Sequence, residues 1–182
     1  CQSSPQFSVS GTITGAEGEW LYLEHTALTK TMIVDSCTLN ADGKFNVQAV
    51  APAHPDFYRI RIDNRSLPLS IDSIEKIEVH TTLDSLPYTL SIEGSESSLV
   101  IAQLRATART STREELRNQA QQIIIQNPRS LAAYYAVFLK QGGEYIWNIF
   151  DPNDRKMYQV VATSFNAWMP DYERTKTLYN QV

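Results

Sequence analysis

The hydrophobic period of this chain changes from two residues to about 3.6 near Glu93-Gly94-Ser95. That switch limits the fold to a sheet-forming segment followed by a helix-forming one. Phe7, Val9, Gly11 and Ile13 share one face of an alternating run, with Ser8, Ser10 and Thr12 opposite. Further strands are expected at 20–24, where Trp20 and Tyr22 oppose Leu21 and Leu23, and at 31–39, 44–48 and 57–62. Three more follow at 67–71, 76–80 and 88–92. Asn40-Ala-Asp-Gly43 is a hairpin signal, because Asp-Gly tolerates the positive φ of a tight turn, and 44–48 is expected to return beside 31–39. About eight short strands with regular turns describe an antiparallel β-sandwich or small barrel.

Beyond Ser95 the pattern is helical. A first helix is expected over 95–107. Thr112-Arg-Glu-Glu115 is a capping box, followed by Leu116, Ala120, Ile123 and Ile124 on one face. Asn127-Pro128 stops that helix and is expected to cap the next, whose stripe is Leu131, Tyr135, Phe138 and Leu139 and whose end is Gly142-Gly143. Asp151-Pro152 opens a third stripe of Met157, Val160, Val161, Phe165 and Trp168. After Pro170, a fourth runs through Tyr172, Thr175, Tyr179 and Val182. The fold class is therefore α+β: a polar tether over 1–6, an antiparallel β domain over 7–93 and a helical bundle over 94–182.

Charge separates the same two halves. Residues 1–93 carry a net −6 and residues 94–182 a net +2, for −4 over the 182-residue chain. That balance argues against a nucleic-acid surface. No apolar run approaches the roughly 18 residues of a spanning helix. Two cysteines, Cys1 and Cys37, make neither a disulfide framework nor a Cys-X-X-Cys pair, and the three histidines are widely spaced. No catalytic residue, metal site or cofactor is expected. Cys37, with Ile33, Asp35 and Leu39 on its strand face, reads as a small buried residue. Arg105, Arg109, Arg113 and Arg117 recur every four residues and read as a solvated face, interrupted by Thr110-Ser-Thr112. The aromatics Tyr134, Tyr135, Tyr145, Trp147, Phe150, Tyr158, Phe165 and Trp168 read mostly as core. The alternative is an aromatic-lined ligand groove between sheet and helices.

The chain begins with Cys1, followed by the short polar stretch Gln2-Ser-Ser-Pro5. A mature bacterial lipoprotein starts on a lipid-modified cysteine, so Cys1 is expected to carry a lipid that holds the protein at the membrane of the cell envelope, periplasmic or surface-exposed.

Several runs carry a family resemblance. They are Phe7-Ser-Val-Ser-Gly-Thr-Ile-Thr-Gly15, Leu21-Tyr-Leu-Glu24, Val34-Asp-Ser36, Leu39-Asn-Ala-Asp-Gly-Lys-Phe45 and Pro55-Asp-Phe-Tyr-Arg59. Ile71-Asp-Ser73, Ile92-Glu-Gly-Ser95 and Asn127-Pro-Arg-Ser-Leu-Ala-Ala-Tyr134 fit the same pattern. Together they resemble the N-terminal domain of unknown function and helical connector of Bacteroidetes lipoproteins related to thiol-disulfide interchange proteins. In those proteins a thioredoxin-like domain of the AhpC/TSA type follows, and it is absent here. The resemblance implies a non-enzymatic accessory or scaffold module, partnered by a thioredoxin-like domain or a periplasmic redox protein. Trp168 and Tyr179 on the last two helices are its expected docking surface. The last helix meets no stop signal before Val182, which implies a truncated or naturally shortened family member. The rival readings are a stand-alone ligand- or protein-binding module and part of a thiol-disulfide oxidoreductase.

Overall fold

The chain crosses repeatedly between two sheets as it advances. The computed structural model describes residues 1–182. In order, β1 is Gln6–Thr14, β2 Trp20–Thr26, β3 Thr31–Thr38, β4 Lys44–Val50, β5 Asp56–Ile62, β6 Arg65–Ile71, β7 Lys76–Thr82 and β8 Ile92–Glu93. One sheet has the order β4-β1-β7-β8 and the other β3-β2-β5-β6. Inward-facing Phe7, Val9, Ile13, Val47, Ile77 and Val79 from the first meet Leu21, Leu23, Ile60, Ile62, Leu67 and Leu69 from the second in one core. The helices are α1 Glu96–Thr110, α2 Arg113–Gln126, α3 Leu131–Val137, α4 Pro152–Trp168 and α5 Glu173–Gln181. A short hairpin of β9 Lys140–Gln141 and β10 Glu144–Tyr145 lies between α3 and α4. The α+β reading holds, with a sandwich-like sheet pair first and helices after it. The chain forms two compact units, Cys1–Ala102 and Gln103–Val182, whose boundary falls within α1.

Within the first unit the sandwich departs from an all-antiparallel meander. β1 runs parallel to β7, with Gly11 opposite Val79. β4 pairs with β1 instead of returning on β3. Both pairings are long-range, and period-two patterning carries no record of which partner a strand takes. β3 and β4 still meet at an edge, where Asp35 Oδ2 accepts the Gln48 N–H at 2.8 Å. The turn between them is as expected: Asn40 Oδ1 accepts the N–H groups of Asp42 and Lys44, both at 2.9 Å.

β3 also breaks phase. Leu23 faces Asp35 but Glu24 faces Ile33, so Val34 is the extra residue of a bulge. Ile33 therefore does not share the inward face of Cys37, and it is 55% exposed. The expected strand at 88–92 shrinks to Ile92–Glu93. Leu86–Tyr88 is instead a turn of 3₁₀ helix with a proline in its first turn, because Pro87 has no N–H to give a ladder.

The open edge of β6 is covered by the start of α1. Ser98 Oγ accepts the Ser70 N–H at 2.9 Å, while the Ser95 and Ser98 hydroxyls donate to the Ser70 carbonyl. A helix that satisfies an edge strand's backbone removes a template for unwanted pairing. Pro68 lies on the same edge strand, where a missing donor is tolerated.

In the second unit the capping box forms as expected, with Thr112 Oγ1 accepting from Glu115 N and Glu115 Oε2 accepting from Thr112 N. Asn127 does not cap the next helix. Its own N–H still binds Ile123 O, so it ends α2, and Ser130 caps α3 by accepting from Ala133 N. Gly142-Gly143 does not end a helix either. Both have positive φ, 61° and 83°, which a two-residue hairpin turn requires, and they join β9 to β10. In α5 the buried line runs through Tyr172, Thr175 and Leu178, and Tyr179 turns to solvent.

The parallel β1–β7 contact generates a test. A Cβ on Gly11 would lie 1.8 Å from the Val79 carbonyl oxygen, against backbone that has nowhere to go. Gly11→Ala is expected to lower stability by about 3 kcal/mol or more, among the largest effects a single residue produces. Gly18 also has positive φ but meets nothing within 4 Å, so Gly18→Ala is expected to cost only about 1–2 kcal/mol. Urea unfolding of the two variants beside the parent checks the ranking.

Candidate functional site: an aromatic cleft in the helical unit

The segment from Tyr145 to Asp151 has little secondary structure, yet its carbonyls from Tyr145 to Ile149 are all engaged. Arg113 Nη2 donates to Tyr145 O at 2.7 Å, and Arg117 Nη1 to Ile146 O at 2.7 Å. The Tyr158 hydroxyl donates to Trp147 O at 2.8 Å, and Arg155 Nε to Ile149 O at 2.9 Å. Asn148 O takes the Asp151 N–H at 3.0 Å. Every carbonyl from Tyr145 to Ile149 thus has a donor, four of them from side chains. Donors to successive carbonyls take the place of a helix or sheet ladder in fixing this irregular segment.

One ion pair organises the donors. Arg117 meets Asp154 through two hydrogen bonds, Nη2 to Oδ1 at 2.6 Å and Nη1 to Oδ2 at 3.0 Å. Asp154 Oδ2 also accepts the Asn148 N–H at 2.9 Å. Hydrogen bonding from Arg117 holds the Asp154 carboxyl below the usual carboxylate range; burial opposes this, and the Asn148 N–H adds to it. The same guanidinium lies 4.4 Å from the centre of the Trp147 ring. Asp151 starts α4 by accepting the N–H groups of Asn153 and Asp154, with Pro152 in its first turn. Gln141 Nε2 ties the hairpin to the end of α1 through Ala108 O and Ser111 O.

The result is a cleft of about 490 Å³ with walls from α2, the hairpin, the following segment, α4 and the end of α5. Phe138 stands edge-on to Tyr145 and to Tyr158. Burial pushes the Tyr158 hydroxyl up to about 12. Lys140 Nζ sits 4.7 Å from the Tyr145 ring centre. Phe150 is 83% exposed and Tyr145 48%, while Trp147 is buried and its indole N–H has no acceptor. Trp147, Phe150, Tyr145 and Tyr158 stand in the expected aromatic series, but the cleft they line draws all its residues from the helical unit. The polar members, Arg113, Glu144, Asn148 and Gln181, carry no sequence signal that points to a groove. Arg113 is exposed, as the reading of a solvated basic face has it, but Arg117 is half-buried, and for Arg117 that reading is corrected. Each grips a carbonyl, because the turn at Ser111 redirects α2 and brings its first turn to the hairpin.

The other expected site residues lie apart from the cleft. Cys1 is exposed and is followed by exposed residues up to Gln6. Trp168 is half-buried with its ring edge-on to Phe165, and Tyr179 is exposed. Cys37 is half-buried against the sandwich core, and burial, aided by the Asp35 charge, pushes its thiol up.

The sandwich unit holds one more polar constellation. His25 Nε2 lies 2.7 Å from Asp56 Oδ2, with the imidazole beside the Tyr58 ring. The pair has the form of a catalytic base and its orienting acid, but no hydroxyl or thiol is hydrogen-bonded to the imidazole. It ties β2 to β5, as Glu24 does by accepting from Arg59 Nε and Arg61 Nε. No three His, Cys, Asp or Glu side chains gather in a geometry that would hold a metal ion.

Asp154→Asn tests what the ion pair contributes. At pH 7 the variant is expected to be less stable by about 2 kcal/mol, below the roughly 3–5 of a fully buried broken pair because Arg117 is one-third exposed. A carboxyl depressed in the folded state stabilises fully above its unfolded value of about 3.9, and the gain is lost as pH falls through the folded value. The gap between the two proteins should therefore close below pH 4 in urea titrations.

No helix is long and apolar enough to cross a membrane. No curated protein matches the chain. The family model described as a domain of unknown function (DUF4369) matches residues 7–99, which cover all eight strands of the sandwich and the start of α1. The chain belongs to this DUF4369 family.

Proposed function

We propose that this chain is a non-catalytic recognition module of a cell-envelope lipoprotein. A lipid on Cys1 holds it at the membrane, and the aromatic cleft of the helical unit receives its target. The observation that carries the reading is the cleft itself. Every carbonyl from Tyr145 to Ile149 has a donor, four of them side chains and one the Asp151 N–H, while two of the cleft's rings stay exposed. Exposed rings on a rigid frame bind at low entropic cost. The exposed stretch from Gln2 to Gln6 supports a tether between the lipid and the first core residue, Phe7.

The chemistry at Cys37 supports binding over redox turnover. A reactive cysteine needs a lowered pKa and access, whereas Cys37 is half-buried, with its thiol pushed up beside the like charge of Asp35.

The motifs of this chain, by their resemblance to thiol-disulfide lipoproteins, favour a second reading. In it the chain is the accessory module of a thiol-disulfide protein, and a thioredoxin-like domain or periplasmic redox partner docks on α4 and α5 at Trp168 and Tyr179. Tyr179 at 49% exposed is available for such a contact. Tyr179→Ala is then expected to abolish binding of a thioredoxin-like partner, and unchanged binding removes this reading.

Two measurements address the main proposal. Mass spectrometry of the N-terminal peptide from native membranes is expected to find a diacylglycerol-modified Cys1, and an unmodified thiol there removes the anchor. In the folded chain Cys37 is expected to react with a disulfide reagent at least about tenfold more slowly than a free cysteine at pH 7.5, with full reactivity restored in urea. Insulin reduction that is lost on Cys37→Ser would return the chain to the oxidoreductases.

A further inference from the structure

We infer that the aromatic cleft binds a neutral saccharide, with sugar rings laid against Phe150 and Tyr145 and hydroxyl groups held by Arg113, Glu144, Asn148 and Gln181. The inference rests on the recognition reading of the cleft and specifies its ligand. Of the ten residues lining the cleft, five are aromatic, four end in planar polar groups and one is aliphatic. That composition separates ligand classes. A pocket for an aliphatic side chain or acyl chain is built from Leu, Ile, Val and Met, and here Ile149 stands alone. An anion would meet Glu144, and a cation would meet Arg113. The two charges balance, so an uncharged ligand meets no unpaired opposition.

A pyranose matches both halves of the lining. One ring face carries C–H bonds, which pack on the negative face of an aromatic ring. Its edge carries hydroxyls that each donate and accept, and carboxylate, carboxamide and guanidinium groups supply both functions in planar pairs. Phe150 is 83% exposed, so its ring is free for such stacking, and Tyr145, 48% exposed with Lys140 over its ring, offers the remainder. Tyr145 does not have to be ordered by the ligand, since Arg113 holds its carbonyl and Lys140 lies over its ring. A volume of about 490 Å³ falls within the range of small-molecule sites, roughly 300–1,000 Å³, and accommodates a short oligosaccharide.

Amide chemical shifts of the intact chain, titrated with maltotriose, cellotriose and N,N′,N″-triacetylchitotriose, test this. At least one sugar is expected to give saturable shifts confined to residues near 113 and 144–150. Phe150→Ala, whose side chain is solvent-facing and whose melting temperature should match the parent, is expected to weaken that sugar at least about tenfold, the scale of a truncated anchor. Glu144→Gln is expected to weaken it less. The inference is overturned if none of the three sugars gives saturable shifts, if the shifts map elsewhere, or if Phe150→Ala binds as the parent does. A decaproline peptide is titrated in parallel, because aromatic grooves also take polyproline helices. Decaproline binding that Phe150→Ala abolishes, without sugar binding, overturns the saccharide and keeps the cleft as a recognition site. Shifts with none of these probes overturn both.

Discussion

The Asp154 carboxylate receives both arms of Arg117 and the backbone N–H of Asn148, and the cleft of the helical unit is arranged around it. Arg117 comes from α2, Asp154 from the first turn of α4, and Asn148 from the segment between hairpin and helix. One carboxylate thus ties α2 to the start of α4 and to the loop residue six positions before Asp154. Charge-assisted bonds of this kind are about twice as strong as neutral ones. Because Arg117 also holds Ile146 O and lies over Trp147, the pair sets where the aromatic wall stands as well as how stable it is.

The sandwich uses the same device at its margins. Its centre is apolar and needs no polar partners, but its edges and outer face do. Asp35 bridges β3 to β4 through the Gln48 N–H, and Ser98 closes the edge of β6. Glu24 is 5% exposed between Arg59 and Arg61. Burial raises its carboxyl, but hydrogen bonds from the two arginines outweigh that and hold it below the usual range. A carboxylate this buried is tolerable only when both oxygens are engaged. His25 with Asp56 plays a similar part between β2 and β5. Cross-strand tying thus accounts for a base–acid pair that holds no hydroxyl or thiol nucleophile.

The two units divide the properties that matter for function. The sandwich carries the net negative charge and the half-buried Cys37 around an apolar core. The helical unit places rigid rings at its surface, and their exposure has no explanation in the packing of that unit. Large exposed apolar groups on an ordered frame are what a binding surface requires.

Much of the fold is legible in residue order. The alternation in Phe7–Ile13, the Thr112–Glu115 capping box and the Asp151-Pro152 start of α4 each have a local cause, and each forms where the sequence places it. Local signals mislead where two structures share one composition. Gly142-Gly143 serves a helix end as well as a hairpin turn, and Asn127 serves either side of a helix break. The β1–β7 pairing, the bulge at Val34 and the grip of Arg113 and Arg117 on the hairpin have no local signature at all. So it is with the cleft: its rings are visible as an aromatic-rich stretch, but not which ones stay exposed or which polar groups face them. The two-part α+β plan can be read from residue order, since hydrophobic period and caps act over a few residues. Strand partners and the cleft emerge only on folding, because they depend on contacts between residues some 30 to 70 positions apart, which periodicity cannot encode.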